Sequence, residues 1–229
     1  MLRLLLLVGA LCRGGDGAAL HTFDMLQLAH VPNSSAIEFQ GNASLDGVLT
    51  HSLQGFRASQ LLPLEPLAWW EAMERSLQTY LHSFHSFVQV IAKERPVQYP
   101  LDLRCTLGCQ LTPDGASHSF YEVALNGDGF LSFRPANSSW VLPGHREGDE
   151  VATFAHAQVS RYPETTSMLR AFLETTCVEF VRRHSPADGT GTEEQHGHSH
   201  APLVLGPTLG ASALAVLAVG AFLCTGGQR

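Results

Sequence analysis

From Leu101 to Leu111 apolar and polar residues alternate without a break. Leu101, Leu103, Cys105, Leu107, Cys109 and Leu111 are set against Asp102, Arg104, Thr106, Gly108 and Gln110. Successive side chains of an extended chain point to opposite faces, so this segment is a strand with one apolar and one wet face. Sheets with a wet face are antiparallel, and the apolar face needs a cover. The preceding segment supplies one. From Trp69, the apolar positions Trp70, Met73, Leu77, Tyr80, Phe84, Phe87 and Ile91 are spaced 3, 4, 3, 4, 3 and 4 apart. That is one continuous stripe on a helix ending near Arg95, before Pro96.

The rest of the chain repeats this order. Phe23–His30, Ile37–Phe39 and Val48–Leu53 read as strands ahead of the helix, with Gly41 and Gly47 between them. Phe120–Asn126 and Phe130–Phe133 follow the alternating strand, joined by a tight turn at Asn126-Gly127-Asp128-Gly129. A second helical region then runs from about Asp149 to His184, interrupted or kinked at Pro163. Beyond Pro163 its stripe is Met168, Leu169, Phe172, Leu173, Thr176, Cys177, Phe180 and Val181. Strands, helix, strands, broken helix: the fold class is α+β, an antiparallel sheet with two long helices on one face.

The ends place this domain. Met1–Arg3 and Leu4–Leu11 form a short basic start and an apolar core, so residues 1–17 read as a signal peptide. Leu203–Leu223 is uncharged for 21 residues, about 31 Å as a helix, enough to cross a bilayer. The expected layout is a folded domain over 18–184, a flexible stalk over 185–202, a transmembrane helix over 203–223 and a cytoplasmic tail over 224–229. This is a single-pass type I protein of the plasma membrane. A glycolipid-anchor signal is the alternative, opposed by the polar residues after Leu223. A soluble form shed at the Ser185–Ala201 stalk is a further reading. Sequons at Asn33, Asn42 and Asn137 read as glycosylation sites on an extracellular domain.

Of five cysteines, Cys12 belongs to the leader and Cys224 is a lipidation candidate beside the membrane. Cys105 and Cys109 share the apolar face of their strand, and Cys177 lies on the stripe of the last helix. Either strand cysteine suits a staple to that helix. Cys109, at the strand's end, is easier to reach, so Cys109–Cys177 is the expected disulfide and Cys105 a buried thiol.

The net charge of −7 leaves no footprint for nucleic acid. No nucleophile elbow, zincin helix or phosphate-cradling loop is present, so no enzyme is expected. His82 and His85 share a helix face, and His196, His198 and His200 cluster near the stalk. Neither group has the further ligands and scaffold of a metal site, and none is expected.

Two strand–helix halves with a strand-to-helix disulfide resemble the platform of the class I major histocompatibility-like family, here without the immunoglobulin-like domain. The segments QGNASLDGVLTHSLQG (Gln40–Gly55), CTLGCQLTPDG (Cys105–Gly115), FYEVALNGDGFLSFRP (Phe120–Pro135), FLETTCVEFV (Phe172–Val181) and FLCTGG (Phe222–Gly227) are similar to members that act as receptors for Gla domains. That resemblance implies Ca²⁺-dependent binding of protein C and activated protein C, and of factor VII, in an anticoagulant role that promotes protein C activation by thrombin–thrombomodulin. It also implies a bound phospholipid between the helices, with the Ca²⁺ carried by the partner's Gla domain. Carried over by position, the ligand-binding edge is Val90, Ile91, Glu94 and Arg95 with Phe154, Gln158, Tyr162 and Thr165. Glu94 and Gln158 would supply oxygens to Ca²⁺; Val90, Ile91, Phe154 and Tyr162 would form an apolar pocket. Gln89, Pro163, Thr166 and Met168 depart from the pattern of those receptors. The alternative on the same platform is a lipid-presenting molecule or immune ligand read by lymphocyte receptors.

Overall fold

A computed structural model describes residues 20–143 and 149–185. The leader, the stalk, the apolar run 203–223, Cys12 and Cys224 lie outside the described residues.

Eight antiparallel strands form one sheet in the order β4-β3-β2-β1-β5-β6-β7-β8. They are β1 His21–Asn33, β2 Ala36–Leu45, β3 Val48–Gln54, β4 Arg57–Gln60, β5 Leu101–Leu111, β6 Ser117–Leu125, β7 Asp128–Arg134 and β8 Ser139–Val141. Each half is a four-strand meander closed by a helical stretch, and the halves meet at β1 and β5. These two strands pair from His21↔Leu111 to Val31↔Leu101. β5 has the expected bounds, the other expected strands are present but longer, and the short edge strands β4 and β8 were not anticipated. The β6–β7 turn holds Asn126 at φ 52° and Gly127 at φ 88°, the left-handed conformations that such two-residue hairpins require.

The first helix, α1, spans Leu67–Glu94, about 42 Å at 1.5 Å per residue. The second helical stretch is α2 Glu150–Ser160, α3 Pro163–Ala171, a π-helical turn at Phe172–Thr176 and α4 Cys177–His184. Asp149 caps α2 by accepting from the Ala152 N–H at 2.9 Å. The break falls at Arg161–Tyr162, and Pro163 occupies the first turn of α3, where its missing N–H removes no helical bond. The π turn was invisible to helical periodicity.

Two apolar clusters hold the layers together. The larger lies under the middle of both helices and includes Phe39, Leu81, Val88, Leu103, Tyr121, Val123, Phe133, Ala155 and Leu173. The smaller joins Phe23, Ala43 and Leu45 to Val178, Phe180 and Val181 around the Cys109–Cys177 disulfide. Cys109 and Cys177 are 0% and 1% exposed, so the cross-link sits inside the core and fastens α4 to a central strand. Cys105 is a free, buried thiol.

Candidate ligand groove and recognition edge

The groove floor comes from β1 and β5. Their alternation turns Phe23, Gln27, Ala29 and Val31, with Leu101, Leu103, Cys105 and Cys109, toward the helices, where all are buried. Leu107 and Leu125 are half-buried on the same core. Within α1 only Leu81, Val88 and Ile91 are fully buried. Tyr80, Phe84 and Phe87 pack against the core but keep part of their surface exposed. The α1 stripe therefore has two flanks, one seated on the sheet and one turned across it. From the opposite side Val151, Phe154, Val159, Leu169 and Phe172 are half-buried against the same core. Large apolar groups left half-covered on both helical stretches are the side chains from which an apolar ligand site between the helices would be built.

The middle of the floor is polar. Gln27 lies opposite Cys105 in the β1–β5 register, is 6% exposed, and its amide lies beside the Tyr80 hydroxyl. The Tyr80 and Tyr121 hydroxyls lie 3.2 Å apart, and burial, then the neighbouring Cys105, raises the Tyr80 hydroxyl above the usual phenol range. Burial pushes the Cys105 thiol up to about 12, against a hydrogen bond with Tyr121 that pulls it down. A glutamine on an otherwise apolar strand face was the sequence signal for this polar island. The thiolate is the reactive form, and burial keeps Cys105 in its thiol form in the native protein at pH 8. Iodoacetamide should therefore leave Cys105 unmodified in the native state and alkylate it after unfolding in guanidinium. Peptide mass spectrometry reads this at Cys105 alone; rapid native alkylation would show that the thiol is reachable and ionisable.

The helices approach each other at the C-terminal end of α1, where the Arg95 guanidinium lies 4.3 Å from the centroid of the Phe154 ring. Arg95 Nη1 also donates to the Glu94 carbonyl at 2.7 Å. Glu94 is exposed and Val90 is 46% exposed, whereas Ile91 is 6% exposed and belongs to the core. Ile91 thus packs into the core beneath the exposed Val90 and Glu94. Phe154 and Gln158 are one helical turn apart on α2 and face the same way. Tyr162 follows at the break and Thr165 on α3, both half-buried. Of the expected edge residues, the structure brings Arg95 of the first helix's end against Phe154 of α2. Thr166 is buried and accepts from Trp140 Nε1 at 3.3 Å, so it serves the fold.

The histidines of α1 are packed as aromatic groups. His82 stacks on Phe56 with centroids 4.4 Å apart. Among the described residues no group of three or more His, Cys, Asp or Glu side chains is placed to hold a metal. The sequon asparagines Asn33, Asn42 and Asn137 are all exposed.

A profile of the MHC-I family domain matches residues 1–187. The chain belongs to the MHC-I family. Human T-cell surface glycoprotein CD1b is 25% identical over 169 residues, covering 70% of this chain and 49% of that protein. Antigen-presenting glycoprotein CD1d of Sylvilagus floridanus is 27% identical over 181 residues, 76% of this chain and 64% of that protein. Mouse MHC class I-like protein MILL2 is 23% identical over 221 residues, 83% of this chain and 60% of that protein. The chain thus spans about half to two-thirds of the length of these relatives. The crystal structure of chicken CD1-1 matches with a TM-score of 0.63 at 24% identity, covering 71% of this chain and 61% of that one, and shares the fold.

Proposed function

We propose that this chain is a cell-surface MHC-I-like platform that holds a lipid between its helices and is recognised there by a protein partner. The observation that carries this reading is that large apolar side chains on both helical stretches, Tyr80, Phe84 and Phe87 on one and Phe154, Leu169 and Phe172 on the other, stay only partly covered above the same sheet. Relatives named as antigen-presenting glycoproteins support it. A lipid that binds only the folded state also stabilises it by mass action. Mass spectrometry of an organic extract of the purified protein tests the proposal. Phospholipid in stoichiometric amount is the expected result, reduced in Phe84→Arg, which places a charge among these side chains; an extract without lipid from folded protein would refute it.

A second reading, a Gla-domain receptor of the endothelial protein C receptor kind, is favoured by the recognition edge. An exposed carboxylate at Glu94 beside an exposed Val90 and the Arg95–Phe154 contact offers what a Ca²⁺-loaded Gla domain takes. That is an oxygen for a partly open Ca²⁺ and an apolar seat for a loop. Surface plasmon resonance against a protein C Gla domain separates the two readings. Binding that is lost in chelator and falls ten-fold or more in Glu94→Ala, the loss of one charge-assisted contact of about 1.5–3 kcal/mol, supports the receptor. No binding in Ca²⁺ by lipid-loaded protein leaves the presenting platform.

A further inference from the structure

The large apolar side chains exposed on the described residues are not scattered. Six of the nine, Leu20, Val48, Leu49, Leu61, Leu62 and Leu67, are between 38% and 70% exposed and lie at one end of the platform. Backbone bonds bring their segments together. The N–H groups of Leu61 and Leu62 both donate to the Thr50 carbonyl, and the Asp46 N–H of the β2–β3 turn donates to Thr22 at the start of β1. Leu67 opens α1 at the same end. Single exposed leucines are ordinary on a soluble protein, but a contiguous group marks an interaction surface.

The chain itself names the occupant. The last turn of α4 is held to this end, where Arg183 and His184 meet the buried Glu65 carboxylate at 3.1 and 3.2 Å. Residues 186–202 and the uncharged run Leu203–Leu223 follow in sequence. A short tether keeps whatever it joins at high effective concentration, so weak contacts between them become populated. Two of the three glycan sites point elsewhere: Asn33 is at the opposite end of β1 and Asn42 is exposed on β2 beside the buried, helix-facing Ala43, while Asn137 follows β7 at the same end of the strands but toward the other edge of the sheet. Exposed Arg182 lies in the last turn of α4 next to Arg183, and half-buried Trp69 lies in the first turn of α1, the residue types that favour phosphate groups and the membrane interface.

We propose that the end formed by Leu20, Val48, Leu49, Leu61, Leu62 and Leu67 rests on the bilayer to which the chain is tethered. The domain then lies with its recognition edge, at the other end of α1, directed away from the membrane. This rests on the membrane-anchored reading of the chain. The test uses the full chain reconstituted in phosphatidylcholine vesicles, with and without bromine on the upper acyl chain. Flotation of the vesicles reports the anchor, and tryptophan quenching by bromine reports contact of the Trp69–Trp70 end. Flotation with quenching, and loss of that quenching in Leu49→Asp/Leu62→Asp at an unchanged melting temperature, is the expected result. Flotation without quenching, or quenching equal in the variant, would overturn the surface proposal alone. Failure to float would overturn the anchored reading and this surface with it. A cross-linked dimer abolished by the same double variant would assign the patch to a second copy instead.

Discussion

Replacing Cys109 and Cys177 together by alanine should lower the stability of the domain by about 4 kcal/mol, the chain-entropy value for a closed loop of this size. The two residues are separated by 68 positions. The loop they close contains β6, β7, β8 and most of the second helical stretch, so the reduced denatured chain gains freedom over nearly half of the domain. The surroundings add to this. Both sulfurs are buried among Phe23, Phe180 and Val181, and alanine leaves a gap there that the core fills only partly. Urea denaturation of the double variant and the parent is the measurement. A loss below about 1 kcal/mol would mean that the denatured state is already compact around this pair. Tyr80, Phe84 and Phe87 belong to the other cluster, so lipid content should change less than stability.

Phe39→Ala should cost about 3–5 kcal/mol, the range for deleting a buried ring. Phe39 is 1% exposed and packs edge-on against Phe56, at 5.1 Å between centroids, and against Phe84, at 6.0 Å. It is the support behind Phe84 of α1. The paired control is Phe84→Ala, whose ring is only half-buried. That variant should lose less stability and more bound lipid. Thermal melts with lipid extraction on both variants read the two effects separately. If Phe84→Ala costs as much stability as Phe39→Ala and keeps its lipid, Phe84 is a core residue and the lipid site lies elsewhere.

What could be read from the residues follows how each segment meets water. β5 is buried on one face only, so its alternation states its class and its burial together. α1 was legible for the same reason, yet its stripe did not reveal which residues sink. Leu81 and Val88 are fully buried, while Phe84 and Phe87 keep part of their surface exposed. An apolar side chain is written the same way whether its neighbour is protein or ligand. β4 and β8 escaped because Arg57–Gln60 and Ser139–Val141 are short edge strands with little apolar alternation. β2 was cut short at Phe39 because Gln40-Gly41-Asn42 carries no apolar residue. The structure explains the glycine: a Cβ at Gly41 would lie 2.2 Å from the Leu26 carbonyl oxygen of β1. At the recognition edge, the order of Val90, Glu94, Arg95 and Phe154 in the chain was plain. That Arg95 crosses to Phe154, or that Ile91 turns inward, depends on helix rotation and the approach of two distant segments. Periodicity does not encode either.

The position of the disulfide also bears on force. A pull on the chain beyond the domain enters at Ser185, eight residues after Cys177. Non-covalent packing alone would let such a load peel α4 from the sheet one turn at a time. The Cys109 link instead passes it to β5, which is hydrogen-bonded along its length to β1 on one side and β6 on the other. Strands drawn lengthwise must break many hydrogen bonds at once, so a load entering at Ser185 is borne in shear through the centre of the sheet.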